Sequence, residues 1–209
     1  MKTAERRQNL KDTLITLAER AIEQHGLAGI KARELAAEAG CSVGAIYNIF
    51  ADLDDLILTV NDRTLSLIRT ELEGSMGTSL AEPRERGAEA AVAYLVRLAL
   101  GYLHFATAHA QRWRALFDHR LAAGRDLPDW YVEQRQNTFS LIEAPLRLLR
   151  PDLEPEQCKL LARSMFSAVH GMVSLGLEEK IGDISVPELE QQITTIVIAL
   201  GRGLVICPK

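Results

Sequence analysis

Residues 32–50 read ARELAAEAGCSVGAIYNIF, two short segments of helical pattern joined by Ala39-Gly40-Cys41-Ser42. Leu35 and Ile46 are placed to fill the space between the segments, and the small Ala36 lets them pack closely. Gly40 accepts the positive φ of a sharp turn without a Cβ penalty. Ser42 is an N-cap type, whose side chain accepts from the free N–H groups of a starting helix. The second segment then presents Val43, Gly44, Ala45, Tyr47 and Asn48 outward. A first turn of such low bulk can enter a major groove and face base edges. Lys31 and Arg33 flank the start of the preceding segment, where a cation beside a helix N-terminus suits a phosphate. The chemistry these types allow is recognition of a nucleic-acid duplex. A plain helical hairpin turning on glycine shares the spacing, so at this level both readings stand.

The elements that must position this segment are helices. Leu10, Leu14, Leu17, Ala21 and Ile22 make one apolar stripe on a first helix over about Thr3–His25, ended by Gly26. Asp52 caps a helix through about Glu73, and Gly74–Ser79 is small and polar enough for a linker. Helices are expected from near Pro83 to about His109, around Trp113, Leu116 and Phe117, from Pro128 to about Leu149, and from Pro155 to about Lys180. Ala122–Asp126 reads as a loop. Ser185 and Glu188 form a capping-box pattern for a last helix to about Ile206. Strand alternation is almost absent. The expected fold is all-α with about nine helices. A three-helix helix-turn-helix domain takes 1–52, a connecting helix and linker 53–79, and a helical bundle 80–209.

Hydrophobic residues make up 47% and charged residues 25%, an ordinary globular balance, and a chain of 209 residues is long enough to bury a core without disulfide or metal support. The net charge of −4 argues against a uniformly basic nucleic-acid binder. Its distribution is uneven: residues 1–50 sum to +1 and the remainder to −5, so only the N-terminal segment offers a face for a polyanion. Lys2, Arg6, Arg7 and Lys11 add cations there, although such a run is as readily a solvated helix face. Cys41, Cys158 and Cys207 are far apart and match no metal spacing, which fits a reducing cytosol. The charged start is unlike a signal peptide. Ile193–Cys207 is short for a membrane span and carries Arg202. Gly-rich phosphate loops, Gly-x-Ser-x-Gly, Cys-x-x-Cys and His-Glu-x-x-His are all missing from the sequence, which speaks against an enzyme and names no catalytic residue or cofactor. His104 and His109 are five apart rather than four, and His119 and His170 lack partners at ligand spacing, so no metal is expected.

Residues 9–60 resemble the DNA-binding domain of the TetR family. The matching pieces are His25-Gly26-Leu27, Arg33 through Gly40, Ser42 through Phe50, and Asp54-Asp55-Leu56-Ile57. The resemblance implies a homodimer with two recognition helices in successive major grooves of a near-palindromic operator, often responsive to a small-molecule effector. It implies a phosphate contact for Tyr47, a base or phosphate contact for Asn48, and a base-facing first turn at Val43, Gly44 and Ala45. The chain departs from the family at Lys31, where Ser or Thr is usual. Val43 and Ala45 replace Lys and Thr, Ile49 an aromatic, and Leu53 a phosphate-binding Lys. Those changes predict fewer phosphate contacts and a shallower salt dependence. They also keep open an alternative, a helical dimer that senses a ligand or partner but has lost DNA binding.

In the C-terminal two thirds, Trp113 to Asp118 followed by Val169-His170-Gly171 resembles the subgroup named for a Trp, His and Gly signature. That implies a sensing and dimerising domain. His104, Phe105, Trp113, Phe117, Trp130, Phe139, Phe166 and His170 are candidates to line an apolar pocket with a few polar tips, though aromatics at helical spacing are more often core. Two stripes are candidates for a dimer seam: Leu161, Met165, Ala168, Met172 and Leu175, and Leu189, Ile193, Ile196, Leu200 and Leu204. One of the two is expected to be protomer core, and Gly171, Gly176, Gly201 and Gly203 would let helices approach closely.

Overall fold

The computed structural model describes residues 2–76, 83–121, 124–180 and 182–206, with side chains for 4–74, 87–121, 124–180 and 182–205. Among the described residues it is all-α, as expected: α1 (Lys2–His25), a 3-10 turn (Gly26–Gly29), α2 (Ala32–Glu38), α3 (Val43–Tyr47), α4 (Leu53–Met76), α5 (Pro83–Ala108), α6 (Ala110–Asp118), α7 (Asp129–Leu149), α8 (Pro155–Leu177) and α9 (Val186–Ile206). Local chemistry explains the starts. Asp52 Oδ1 accepts from the Asp55 N–H at 2.8 Å, while Asp55 Oδ2 accepts from the Ala51 N–H at 3.1 Å, a reciprocal cap on α4. Burial raises the Asp52 carboxyl, but the Asp55 N–H and the Arg125 guanidinium outweigh it and hold its pKa below the usual value. Ser185 and Glu188 cap α9 in both directions, at 2.9 and 3.4 Å. Glu154 and Gln157 do the same for α8, with Pro155 in its first turn.

Three features differ from the sequence expectation. Helix α4 runs on to Met76, so Gly74–Met76 is helical; the remainder of the expected linker, 77–79, lies outside the described residues, as do 122 and 123 of the expected loop. Gly87 interrupts α5 with φ 70°, so the expected single helix is two helices meeting at a break. Residues 26–29 close into a 3-10 turn that periodicity does not reveal. There a Cβ on Gly29 would lie 2.6 Å from the Ala21 carbonyl oxygen, so no side chain fits.

The helices form two compact units. The first is Met1–Leu67 with His109–Gln134, and the second is Ile68–Ala108 with Arg135–Lys209. Helix α4 carries residues of both. In the first unit Leu14, Ala18 and Ile22 of α1, Leu35 and Ala36 of α2, Ile46 of α3, Phe50 in the turn after it, Leu56 and Val60 of α4, and Ala115 of α6 share one buried core. The membership of α6 is a surprise, because periodicity says nothing about partners so distant in the chain. Its Arg112 guanidinium is nearly buried and donates to Glu19, Glu23 and the Thr64 hydroxyl, each at 3.1–3.3 Å. Burial of that charge is offset by two carboxylates, the condition under which a buried cation is tolerated.

The second unit packs α5 and α8 against α9. By length and composition, α8 and α5 from Gly87 could each cross a membrane, a test that core helices of a globular bundle also pass. Gly176 and Gly201 make the close approaches expected of them. A Cβ on either would lie 2.9 Å from a methyl of Leu189 or Val92, whereas Gly171 and Gly203 face no atom within 4 Å.

Candidate nucleic-acid interface

The turn between α2 and α3 has a defined mechanism. Gly40 has φ 65° and its amide donates to the Ala37 carbonyl at 3.3 Å, while the Cys41 amide donates back to Ala36 at 2.9 Å. This pair of bonds is the Schellman closure, which ends α2 by reversing onto its last carbonyls. A Cβ on Gly40 would meet nothing within 4 Å, so the requirement for glycine there is purely one of backbone conformation. Ser42, extended at φ −79° and ψ 154°, then starts α3, its Oγ accepting from the Ala45 N–H at 3.2 Å. Lys31 precedes α2 without a side-chain cap, and its Nζ pairs with Glu34 at 2.9 Å instead.

Helix α3 has only five residues, and one of them anchors it: Ile46 is fully buried, followed by Phe50 at 2% exposure. The opposite side is open. Tyr47 is 48% exposed, and Gly44 and Asn48 are exposed as well. Val43 and Ala45 are half-buried, and Val43 packs against the core of the unit, so it is less outward than its position in the pattern implied. Leu53 and Ile49 also pack on that core. This gives the family departures a structural use, since an apolar residue at either position contributes to folding. Arg33 is exposed, near the open side of α2.

Most cations of this unit are engaged with protein groups. Arg20 pairs with Glu38. Arg63 reaches Glu19 at 3.3 Å. Arg125 pairs with Asp52 and, at 3.4 Å, with Asp54. Arg7 Nη2 donates to the Asn48 carbonyl at 2.9 Å, and the Lys11 ammonium stands 5.9 Å over the Phe50 ring. The sequence marked Arg7 and Lys11 as cations without showing what they hold. Arg112 and Asn61, which together tie α6 to α1 and α4, it did not mark at all, and no local signal points to them.

The residues expected to line one pocket divide between the two units. Trp113, Phe117 and Trp130 belong to the first, where the Trp113 and Phe117 rings lie 5.5 Å apart. In the second, Phe139 meets Phe166 edge-on at 5.2 Å, Phe166 stacks on His170 at 5.5 Å, and Tyr102 joins them with its hydroxyl 2.8 Å from His170 Nδ1. Burial pushes His170 below the usual histidine pKa, against the opposing pull of Glu178. Phe105 is core, at 1% exposure. His104 is exposed and bonded to Glu190 at 2.6 Å, so it is a surface pair between α5 and α9 rather than a lining group.

Each seam stripe has both buried and exposed members within the protomer. Met165 on α8 and Leu189 and Ile193 on α9 are buried within the protomer and are unavailable to a partner. Ala168 and Leu175 on α8, and Ile196 and Leu200 on α9, are exposed, while Leu161, Met172 and Leu204 are half-buried. The 4-3 spacing had merged two neighbouring faces of each helix, one core and one outward.

Residues 14–60 match the family described as bacterial regulatory proteins, tetR family, and residues 95–199 match a tetracyclin repressor-like C-terminal domain. The second description does not carry the Trp, His and Gly subgroup. Among solved structures the chain is similar to a protein of unknown function from Rhodococcus sp. RHA1, at 23% identity, covering 94% of this chain and 95% of that one with a TM-score of 0.70. It is similar to a TetR transcriptional regulator from the same organism, at 15% identity, 96% and 97% coverage and a TM-score of 0.55. It is also similar to a transcriptional regulator from Aquifex aeolicus VF5, at 17% identity, 91% and 99% coverage and a TM-score of 0.54. Likeness at these identities concerns the fold alone. No curated protein matches the chain in sequence.

Proposed function

The chain belongs to the TetR family of bacterial regulators, and from that premise we propose that it is a cytoplasmic, ligand-responsive repressor that binds a near-palindromic operator as a homodimer. The observation that carries the reading is the division of α3. Ile46 is fully buried, while Gly44, Tyr47 and Asn48 stand open on a turn held by Gly40 and Ser42. A two-fold dimer sets two such helices one DNA turn apart, roughly 34–36 Å. The outward apolar residues of α8 and α9, Ala168, Leu175, Ile196 and Leu200, support a seam there.

The effector, on this reading, is received in the second unit, and α4, which has residues in both units, transmits the change. A coupling of about 1–3 kcal/mol would alter operator affinity about 5–150-fold. A second reading, a dimeric sensor that no longer binds DNA, is favoured by one observation: the open side of α3 carries no cation, and Leu53 is engaged with the core. Mobility shift and footprinting on the DNA upstream of the gene separate the two. The repressor reading expects protection by the wild type and loss of the shift with Tyr47→Ala. Equal shifts by both proteins would remove Tyr47 from the contact, and no footprint would favour the second reading. Sedimentation at micromolar concentration showing monomer alone would overturn the dimer.

A further inference from the structure

Five residues are too few for a helix to hold itself in water, because nucleation is costly and each end leaves backbone groups unbonded. Helix α3 therefore depends on what grips it. Ser42 satisfies its start and Ile46 anchors its inner side. Its end, at the C-cap Asn48, is met by α1: Arg7 donates to the Asn48 carbonyl at 2.9 Å across 41 residues of sequence. One turn further along α1, Lys11 covers the ring of the buried Phe50. Residues four apart on a helix share a face, so Arg7 and Lys11 grip two points of the segment that leaves α3. Arg7 is a cation placed at the negative end of α3, where a guanidinium that bonds a terminal carbonyl is stabilising.

We propose that Arg7, seconded by Lys11, is a positioning residue for the recognition helix, fixing the angle at which α3 meets DNA without itself binding a phosphate. The proposal rests on the DNA-binding reading for its consequence but not for its geometry. It reassigns two cations of the N-terminal segment from the polyanion to the protein. Arg6, one residue away, is exposed with no protein acceptor among the described residues, and it serves as the comparison.

The test uses the full chain and two measurements. In the DNA-free protein, Arg7→Ala is expected to speed amide exchange at Asn48, Ile49 and Phe50 by about 3- to 10-fold while leaving α5 and α9 unchanged. With upstream DNA, its affinity falls by a similar factor, and the slope of log affinity against log salt stays that of the wild type. Arg7→Lys, which keeps the charge and a donor, restores part of the protection. The proposal is overturned if exchange is unchanged, or if the slope flattens by about 0.9 for each Arg7 lost, since that marks a phosphate contact. Arg6→Ala is expected to leave exchange at these amides alone, and if it matches Arg7→Ala there, the effect is general charge and the proposal fails. If the wild type binds no DNA, the repressor reading falls, and the exchange measurement still decides whether the grip exists.

Discussion

Replacing Gly44 by alanine should move folding and DNA binding in opposite directions. Gly44 is the second residue of α3, its φ is not positive, and an added Cβ would meet only Ser42 Oγ, at 3.9 Å. Within the protein the methyl is therefore free of strain. Glycine in a helix costs about 0.5–1 kcal/mol relative to alanine, so Gly44→Ala should stabilise by up to that amount. A domain of this size shifts its melting temperature by about 2–4 °C per kcal/mol, which gives a rise of roughly 1–4 °C. On the DNA side the same methyl enters the space through which α3 approaches base edges. Overpacking a close interface costs about 1–3 kcal/mol, or about 5- to 150-fold in affinity. Thermal melts and fluorescence anisotropy on one protein preparation measure both. Gly40→Ala is the control: its φ of 65° makes alanine costly by about 1–2 kcal/mol, so both readings fall together. A Gly44→Ala protein that melts lower would refute the local structure of α3. One that melts higher and binds as well as wild type would show that the first turn does not enter a groove.

The remaining predictions concern the supports. Ser42→Ala should destabilise by about 1 kcal/mol through loss of the bond to the Ala45 N–H, and Ser42→Asp should recover most of it in the same melt. Ile46→Ala should cost about 2–5 kcal/mol, while Ile46→Val should cost about 0.5–1.5, both read from denaturant midpoints. His170 is held below its ordinary pKa by burial, so the unfolded chain takes up a proton near pH 6.5 that the folded chain refuses. Stability is then full above pH 6.5 and falls as pH drops toward the lower folded value. His170→Gln should lessen the fall in melting temperature between pH 7.5 and 5.5, and an unchanged fall would remove His170 from that dependence.

What could be read from the sequence was chemistry that acts within one turn. Gly40, Ser42, Asp52 and the Ser185–Glu188 pair each bond to residues no more than three or four positions away, so type and spacing were enough. The site shared this advantage, because recognition turn, cap and buried anchor lie within ten residues. What escaped depended on partners brought together by folding. Arg112 reaches Glu19 across 93 positions, and nothing near position 112 announces it. The aromatic residues of the C-terminal two thirds were visible as types, but composition could not tell that Trp113 and Phe166 belong to different units. The apolar stripes did not separate core from surface for a related reason: heptad spacing follows one line along a helix, whereas burial on α9 follows Leu189, Ile193, Val197 and Gly201, slightly rotated from it.

The first unit is assembled from two stretches of chain that are not consecutive. Synthesis is vectorial, and when Leu67 leaves the ribosome the core around Ile46 still lacks Ala115 and the carboxylates of Glu19 and Glu23 still lack Arg112. Everything between Ile68 and Ala108 must be translated before those pieces arrive. A minimal DNA-reading fragment cut after α4 would therefore carry a gap in its apolar core and a Glu23 without Arg112, while Glu19 would keep Arg63 alone. An autonomous version of this unit would need the segment His109–Gln134 grafted back, with a short bridge in place of the intervening residues.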